Sequence, residues 1–168
     1  AYPGTCRSRP PVQQQERIAS GAAHSWRLDM ARALATVGPL SWLDARAGRV
    51  VAEPTAFGDI ILARRDAPAA YHLASTLDDA HQGISHVVRG ADLFAATHVH
   101  RLLQALLDLP TPAYLHHALI AGADGVRLAK RHDAASIASL RAAGVDAALL
   151  KKELRDGALP MAYRWINA

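Results

Sequence analysis

Three short segments in a row constrain this chain more than any other feature: "SHVVRG" (85–90), "THVHRLLQALLDLP" (97–110) and "AYLHHALI" (113–120). The first and third are brief apolar runs suited to buried strands. Between them, Val99, Leu102, Leu103, Leu106 and Leu107 recur at helical spacing on one face, with Thr97 as the expected N-cap and Pro110 just beyond the end. Strand, helix, strand at this spacing is a βαβ unit. The helix carries the chain back across the sheet, so the fold expected is α/β around a parallel sheet.

The rest of the chain is read around that unit. Residues 1–23 mix Pro, Gly, Gln and Arg without apolar periodicity, which predicts loop or a short helix. "SWRLDM", "GRVVAE" and "DIILARR" read as strands broken by Gly and Pro, a small β-containing insertion before the main sheet. "AYHLASTL" (70–77) reads as a further buried strand, with Asp78 and Asp79 as positioning or turn residues at its end. After the βαβ unit, helices are expected near 134–143, ending at Gly144, and over 147–155, started by Asp146 and ended by Gly157. The expected parts are 1–58, 59–132 and 133–168, with no internal repeat.

Composition narrows the partners. At 168 residues and 51% apolar content the chain can bury a real core. The net charge of +4 comes in short clusters: Arg7/Arg9, Arg64/Arg65, Arg127/Lys130/Arg131 and Lys151/Lys152. Such clusters suit a polyanion, nucleic acid or nucleotide phosphate, and they also suit an ordinary basic surface. The single cysteine allows no internal disulfide and predicts a reducing compartment. No apolar run is long enough to span a bilayer, so a cytoplasmic protein is expected.

The stretch "AGADGVRLAKRHDAASI" (121–137) places Arg127, Lys130 and Arg131 after a Gly-flanked turn and before a helix start. Together with "RRDAPAAYHLASTLDDAHQGISHVVRGADL" (64–93) and "YLHHALIAGADGVRLAKRHDA" (114–134), it resembles the second half of the catalytic core of glutamyl-tRNA synthetases. These are class I enzymes with a Rossmann-type parallel sheet. The resemblance is close over about residues 59–137. It implies activation of glutamate with ATP and Mg2+, followed by transfer to tRNA. The family's Lys-Met/Leu-Ser-Lys-Ser/Arg loop stands here as Arg127, Leu128, Ala129, Lys130 and Arg131. The resemblance makes Lys130 and Arg127 the catalytic cations and ATP-phosphate ligands, with Arg131 beside them. An ammonium and a guanidinium there neutralise charge that builds on the leaving pyrophosphate. Ala129 replaces the usual Ser and removes one hydroxyl. By the same resemblance Tyr71 and Arg89 bind the glutamate substrate, the Arg fork meeting a carboxylate through both oxygens. Without the family, Tyr71 would be a core residue and Arg89 a partner of Asp78 or Asp79. Ser75 stands where discriminating synthetases carry Asn.

Tyr2 and Cys6 in "YPGTC" resemble the second half of a zinc site found in one branch of the family, whose upstream Cys-x-Cys does not occur here. Two of about four zinc ligands predict weak or absent zinc in this chain. His98 and His100, two apart at a helix start, point to different faces, and the nearest acid, Asp92, is not at a metal spacing; for these and the His116/His117 pair core or surface roles are favoured. The Tyr-x-x-x-Cys remnant and the short stretch after Lys130 resemble the truncated branch that places glutamate on the queuosine base of tRNA(Asp). The family's His-x-Gly-His does not occur in these residues. The expectation is therefore an incomplete core, monomeric, that does not form adenylate by itself. The alternatives are a non-catalytic tRNA-binding or assembly module, a fragment of a discriminating glutamyl-tRNA synthetase and, last, a His-based metal hydrolase.

Overall fold

The computed structural model describes residues 2–129, 136–159 and 163–166. The chain packs as two compact units, Ala1–Arg89 with Leu93–His116, and Gly90–Asp92 with His117–Ala168.

In the first unit, helix α1 (Pro11–Ala19) is followed by β1 (Trp26–Arg27) and α2 (Met30–Val37). The expected strand through "SWRLDM" therefore stops at Arg27. Asp29 accepts a hydrogen bond from Arg32 N–H at 3.2 Å and caps α2, the usual work of Asp at a helix start. Strands β2 (Ser41–Asp44) and β3 (Gly48–Val51) form an antiparallel hairpin in the register Ser41↔Val51 to Asp44↔Gly48. Gly48 supplies the φ of +73° that the tight return requires. Strand β4 (Ile61–Ala63) pairs with β1.

Residues 71–81 form helix α3 (Tyr71–His81), correcting the strand expected over 70–77. The segment has only Thr76 as a β-branched residue, and Leu73, Thr76 and Ala80 recur at helical spacing. Asp78 and Asp79 accordingly lie in the last turns of α3 and do not follow a strand. The βαβ unit is present as β5 (His86–Gly90), α4 (Ala96–Leu106) and β6 (Ala113–His117), with sheet order β3-β2-β6-β5. β2 and β6 run parallel, Asp44 opposite Tyr114. α4 begins at Ala96 with Ala95 as its cap, so Thr97 is inside the helix and fully buried. The apolar face of α4 is seated as expected: Val99, Leu102 and Leu103 join Met30, Ala33 and Ile60 in the core. Leu107 lies past the helix end and is exposed.

The second unit pairs β7 (Leu119–Ala121) with β8 (Arg164–Ile166) and adds helices α5 (Ile137–Ala142) and α6 (Ala147–Arg155). Ser136 and Ser139 form a reciprocal cap on α5, and Asp146 caps α6 through Leu149 N–H, as the sequence predicts for the latter.

Candidate substrate-binding site

Nine histidines are many for this length, and three of them meet around Arg89. Arg89 ends β5. Its Nε donates to His116 Nε2 at 3.1 Å and its Nη1 to His100 Nδ1 at 3.2 Å. Its Nη2 donates to Thr97 Oγ1 at 2.7 Å and to the Leu93 carbonyl at 3.3 Å. The guanidinium also lies 5.4 Å from the Tyr114 ring centroid. Arg89 therefore does not pair with Asp78 or Asp79.

The network extends at both ends. On β6, His116 Nδ1 lies 2.7 Å from Asp44 Oδ2 at the end of β2, both side chains almost fully buried. On α4, His100 Nε2 lies 3.0 Å from His72 Nδ1 on α3. Five residues from five elements thus form one chain: Asp44, His116, Arg89, His100, His72. The parallel pairing of β2 with β6 is what sets Asp44 beside His116, and the packing of α3 on α4 sets His72 beside His100.

The charges follow from the partners. Burial by itself pushes the Asp44 carboxyl up, but hydrogen bonds from Ala47 N–H, His116 and Arg46 N–H outweigh it and hold Asp44 below its usual value. Burial, reinforced by the Arg89 cation and by His72 and His116, pushes His100 down to about 3. His72 is lowered by burial and then by Arg89. One cation and one carboxylate thus sit at either side of His116, with uncharged imidazoles at His100 and His72 near neutral pH.

His72 and Tyr71 occupy the first turn of α3, which has no side-chain cap because Ala70 stands there. They line an open cleft of about 580 Å3 together with Tyr2, Arg27, Asp59 and Arg64. Uncapped helix N–H groups beside Arg27 make this wall attractive to an anion, while Arg64 is already paired with Asp66. Tyr71 is exposed, with its ring 6.0 Å from that of His100. The structure thus brings Tyr71 and Arg89 to the same histidine pair. Ser75, one turn further along α3, has a buried hydroxyl with no hydrogen-bond partner among the described residues. The sequence reading singled out Tyr71 and Arg89 for the site but not Asp44 or His72, and took Thr97 only as a helix cap; the available signal was a histidine within each of three predicted elements, at 72, 100 and 116.

A second recess of about 550 Å3 is lined by Arg7, Arg9, Arg17, Arg27, His24 and Trp26. Arg7 is paired with Asp59 and Arg27 lies 4.5 Å over the Tyr2 ring. Arg9 and Arg17 have no acidic partner among the described residues, and Trp26 is exposed. Tyr2 and Cys6 are brought together, the Tyr2 hydroxyl accepting Cys6 N–H at 2.6 Å, and Cys6 is an exposed free thiol. Among the described residues no group of three or more His, Cys, Asp and Glu is placed to hold a metal. His98 accepts from Glu53 N–H at 2.9 Å, away from His100.

In the second unit the Gly-flanked turn is a tight return. Gly122 N–H bonds Val126 O, Leu128 N–H bonds Ile120 O, and Asp124 accepts Val126 N–H. It delivers an exposed Arg127, whose Nη1 lies 2.8 Å from Asp92 Oδ2. Lys130 and Arg131 lie outside the described residues.

The model of the family described as tRNA synthetases class I (E and Q), catalytic domain, matches residues 1–160. The chain belongs to this family. Among its relatives, the glutamyl-Q tRNA(Asp) synthetase of Rhodobacter capsulatus is 40% identical over 156 residues, covering 90% of this chain and 55% of that protein. The protein of the same name from Leptothrix cholodnii is 45% identical over 145 residues, covering 86% and 46%. A glutamate–tRNA ligase 2 from Nitrosococcus oceani is 36% identical over 143 residues, covering 85% and 29%. The chain spans about half the length of the glutamyl-Q relatives it matches. The crystal structure of a glutamate tRNA ligase from Elizabethkingia meningosepticum, solved with its amino acid, shares the fold. Its TM-score is 0.61 at 24% identity, over 77% of this chain and 26% of that one. The α/β fold with a parallel pair is thus that of a class I synthetase core. Among the described residues no helix is long and apolar enough to cross a membrane.

Proposed function

We propose that this chain supplies the glutamate-binding wall and the phosphate-binding loop of an ATP-dependent synthetase core that transfers glutamate to tRNA, with the queuosine base of tRNA(Asp) as acceptor. The observation that carries the reading is the convergence of Tyr71 and Arg89 on His100 beside an anion-attracting cleft, in a member of this family. Arg89 and the Tyr71 hydroxyl hold the glutamate carboxylate by directed hydrogen bonds. Arg127 and Lys130 neutralise phosphate charge as the α-carboxylate attacks the α-phosphorus of ATP, an act of positioning and electrostatics that needs no protein nucleophile. In this reading Tyr2 and Cys6 are two of the ligands of a structural zinc. The names of the glutamyl-Q relatives support tRNA(Asp) as partner, and a cytoplasmic monomer fits the reading.

The test is transfer of radiolabelled glutamate by the native protein to tRNA(Asp) with and without queuosine, and to tRNA(Glu). Transfer confined to queuosine-bearing tRNA(Asp) is the expected result; equal transfer to tRNA(Glu) overturns the acceptor assignment. Glutamate-dependent pyrophosphate exchange by this chain alone is expected to be absent.

A second reading, RNA binding without chemistry, is favoured by the recess in which unpaired Arg9 and Arg17 flank an exposed Trp26. Cations for the backbone and an aromatic face for a base are the parts of a single-strand platform. Retained RNA affinity with no glutamate binding distinguishes it.

A further inference from the structure

The chain Asp44–His116–Arg89–His100–His72 contains two members of fixed polarity, one at its end and one at its centre. The Asp44 carboxylate only accepts, and the Arg89 guanidinium only donates. His116 must then carry its proton on Nδ1 to face Asp44 at 2.7 Å, leaving Nε2 to accept from Arg89 at 3.1 Å. His100 must accept from Arg89 through Nδ1 at 3.2 Å, which puts its proton on Nε2. That proton points at His72 Nδ1, 3.0 Å away, so His72 accepts there and carries its own proton on Nε2. The opposite tautomer of His72 would set two N–H groups against each other. Each step is forced by the one before it.

His72 Nε2 has no partner among the described residues, and His72 lines the cleft at the uncapped first turn of α3. The acid on the same cleft wall, Asp59, is already engaged by Arg7 and by Met30 N–H. We propose that the relay fixes His72 as a hydrogen-bond donor toward the cleft and makes it a ligand-contacting residue selective for anionic oxygen. For glutamate as that ligand the inference rests on the function proposed above. Asp44 and His116 are positioning residues: they touch no ligand and act by holding Arg89, which holds His100.

The test uses the chain with 15N-labelled histidine and two probes, L-glutamate and acetate. Long-range 1H–15N correlations are expected to show Nε2–H tautomers for His72 and His100 and an Nδ1–H tautomer for His116. Either probe should move the His72 Nε2–H resonance. His72→Asn keeps an acceptor opposite His100 but removes the distal N–H, and should weaken glutamate binding about tenfold. His72→Gln restores a distal N–H and should bind within about threefold of the parent. Unchanged His116 and His100 signals show that each variant is folded. An Nδ1–H tautomer at His72, no response to either probe, or full affinity in His72→Asn overturns the inference. A response to acetate with no preference for glutamate leaves the relay standing and removes the glutamate reading.

Discussion

Replacing Asp44 by Ala tests the buried end of the network most directly. Asp44 accepts four hydrogen bonds: Arg46 N–H and Ala47 N–H at 2.9 Å each, His116 N–H at 3.3 Å and His116 Nδ1–H at 2.7 Å. The two turn amides lie beside exposed residues and can be rehydrated, so their loss contributes little. The His116 ring cannot, because its side chain is only 2% accessible. Losing a charge-assisted bond costs about 1.5–3 kcal/mol, and an unpaired buried donor a further 1–3 kcal/mol. The sum, about 2.5–6 kcal/mol, brackets the roughly 3–5 kcal/mol lost on breaking a buried pair and is a large part of a typical domain's stability. Asp44→Asn keeps an acceptor and should lose about 1–2 kcal/mol. Urea unfolding followed by tryptophan emission is the assay, since the Trp42 ring lies 5.8 Å from that of His116. The pH dependence has a definite sign. Asp44 is held below its ordinary 3.8, so its contribution is fully present above that value and fades as pH falls through the folded pKa. The gap between parent and Asp44→Ala should be flat between about pH 5 and 8 and close in stronger acid. A loss under about 1 kcal/mol at pH 7, or a gap that persists unchanged into strong acid, refutes the assignment of a buried, ionised acceptor.

Arg89→Lys keeps the charge but one point contact replaces the fork, so glutamate affinity should fall more than about tenfold in a calorimetric titration, with about 1–3 kcal/mol of stability lost. His100 is pushed down to about 3, so the unfolded chain takes up its proton first as pH drops below the ordinary 6.5. Thermal stability should therefore decline between about pH 6 and 3, by up to about 1.4 kcal/mol per pH unit, and His100→Gln should flatten that decline. Arg127→Ala breaks only an exposed pair with Asp92 and should change stability by under about 0.5 kcal/mol, while pyrophosphate affinity falls in a competition assay. Arg9→Glu with Arg17→Glu should weaken RNA binding and reduce the slope of log affinity against log salt by roughly 1–2.

The βαβ unit was legible because its period is unambiguous: Val99, Leu102 and Leu103 fill one face, and that face is the core. Thr97 failed as an N-cap for an instructive reason. Its hydroxyl is needed by Arg89 Nη2, and the helix starts a residue earlier with no side-chain cap. Tyr71 to Leu77 alternates well enough to pass for a strand, and only the helix-forming Leu and Ala content argued otherwise. Strand β2 was not predicted because "SWLD" is too short to show a period, yet it contributes Asp44. The relay could not be read at all. Its members lie up to 72 positions apart, and what unites them is sheet register, Asp44 beside His116, which sequence spacing does not encode.

An arginine proposed to bind a ligand while its hydrogens are mostly engaged by protein looks self-defeating, but the count favours it. Arg89 has five N–H groups and uses four, leaving one Nη1 hydrogen without a partner among the described residues. A free Arg side chain loses rotamer freedom when it grips a carboxylate; one already held by His116, Thr97, Leu93 and His100 loses little more. The relay gives the guanidinium a fixed plane and adds His72 Nε2–H as a second donor of set polarity. Neutral imidazoles are required for this. Protonation of His100 would turn Nδ1 into a donor facing Arg89 Nη1 and break the chain at its centre. Burial of His100 under the Arg89 cation prevents that down to about pH 3. The same contact that orients the arginine thus keeps its neighbour in the only protonation state that can orient it.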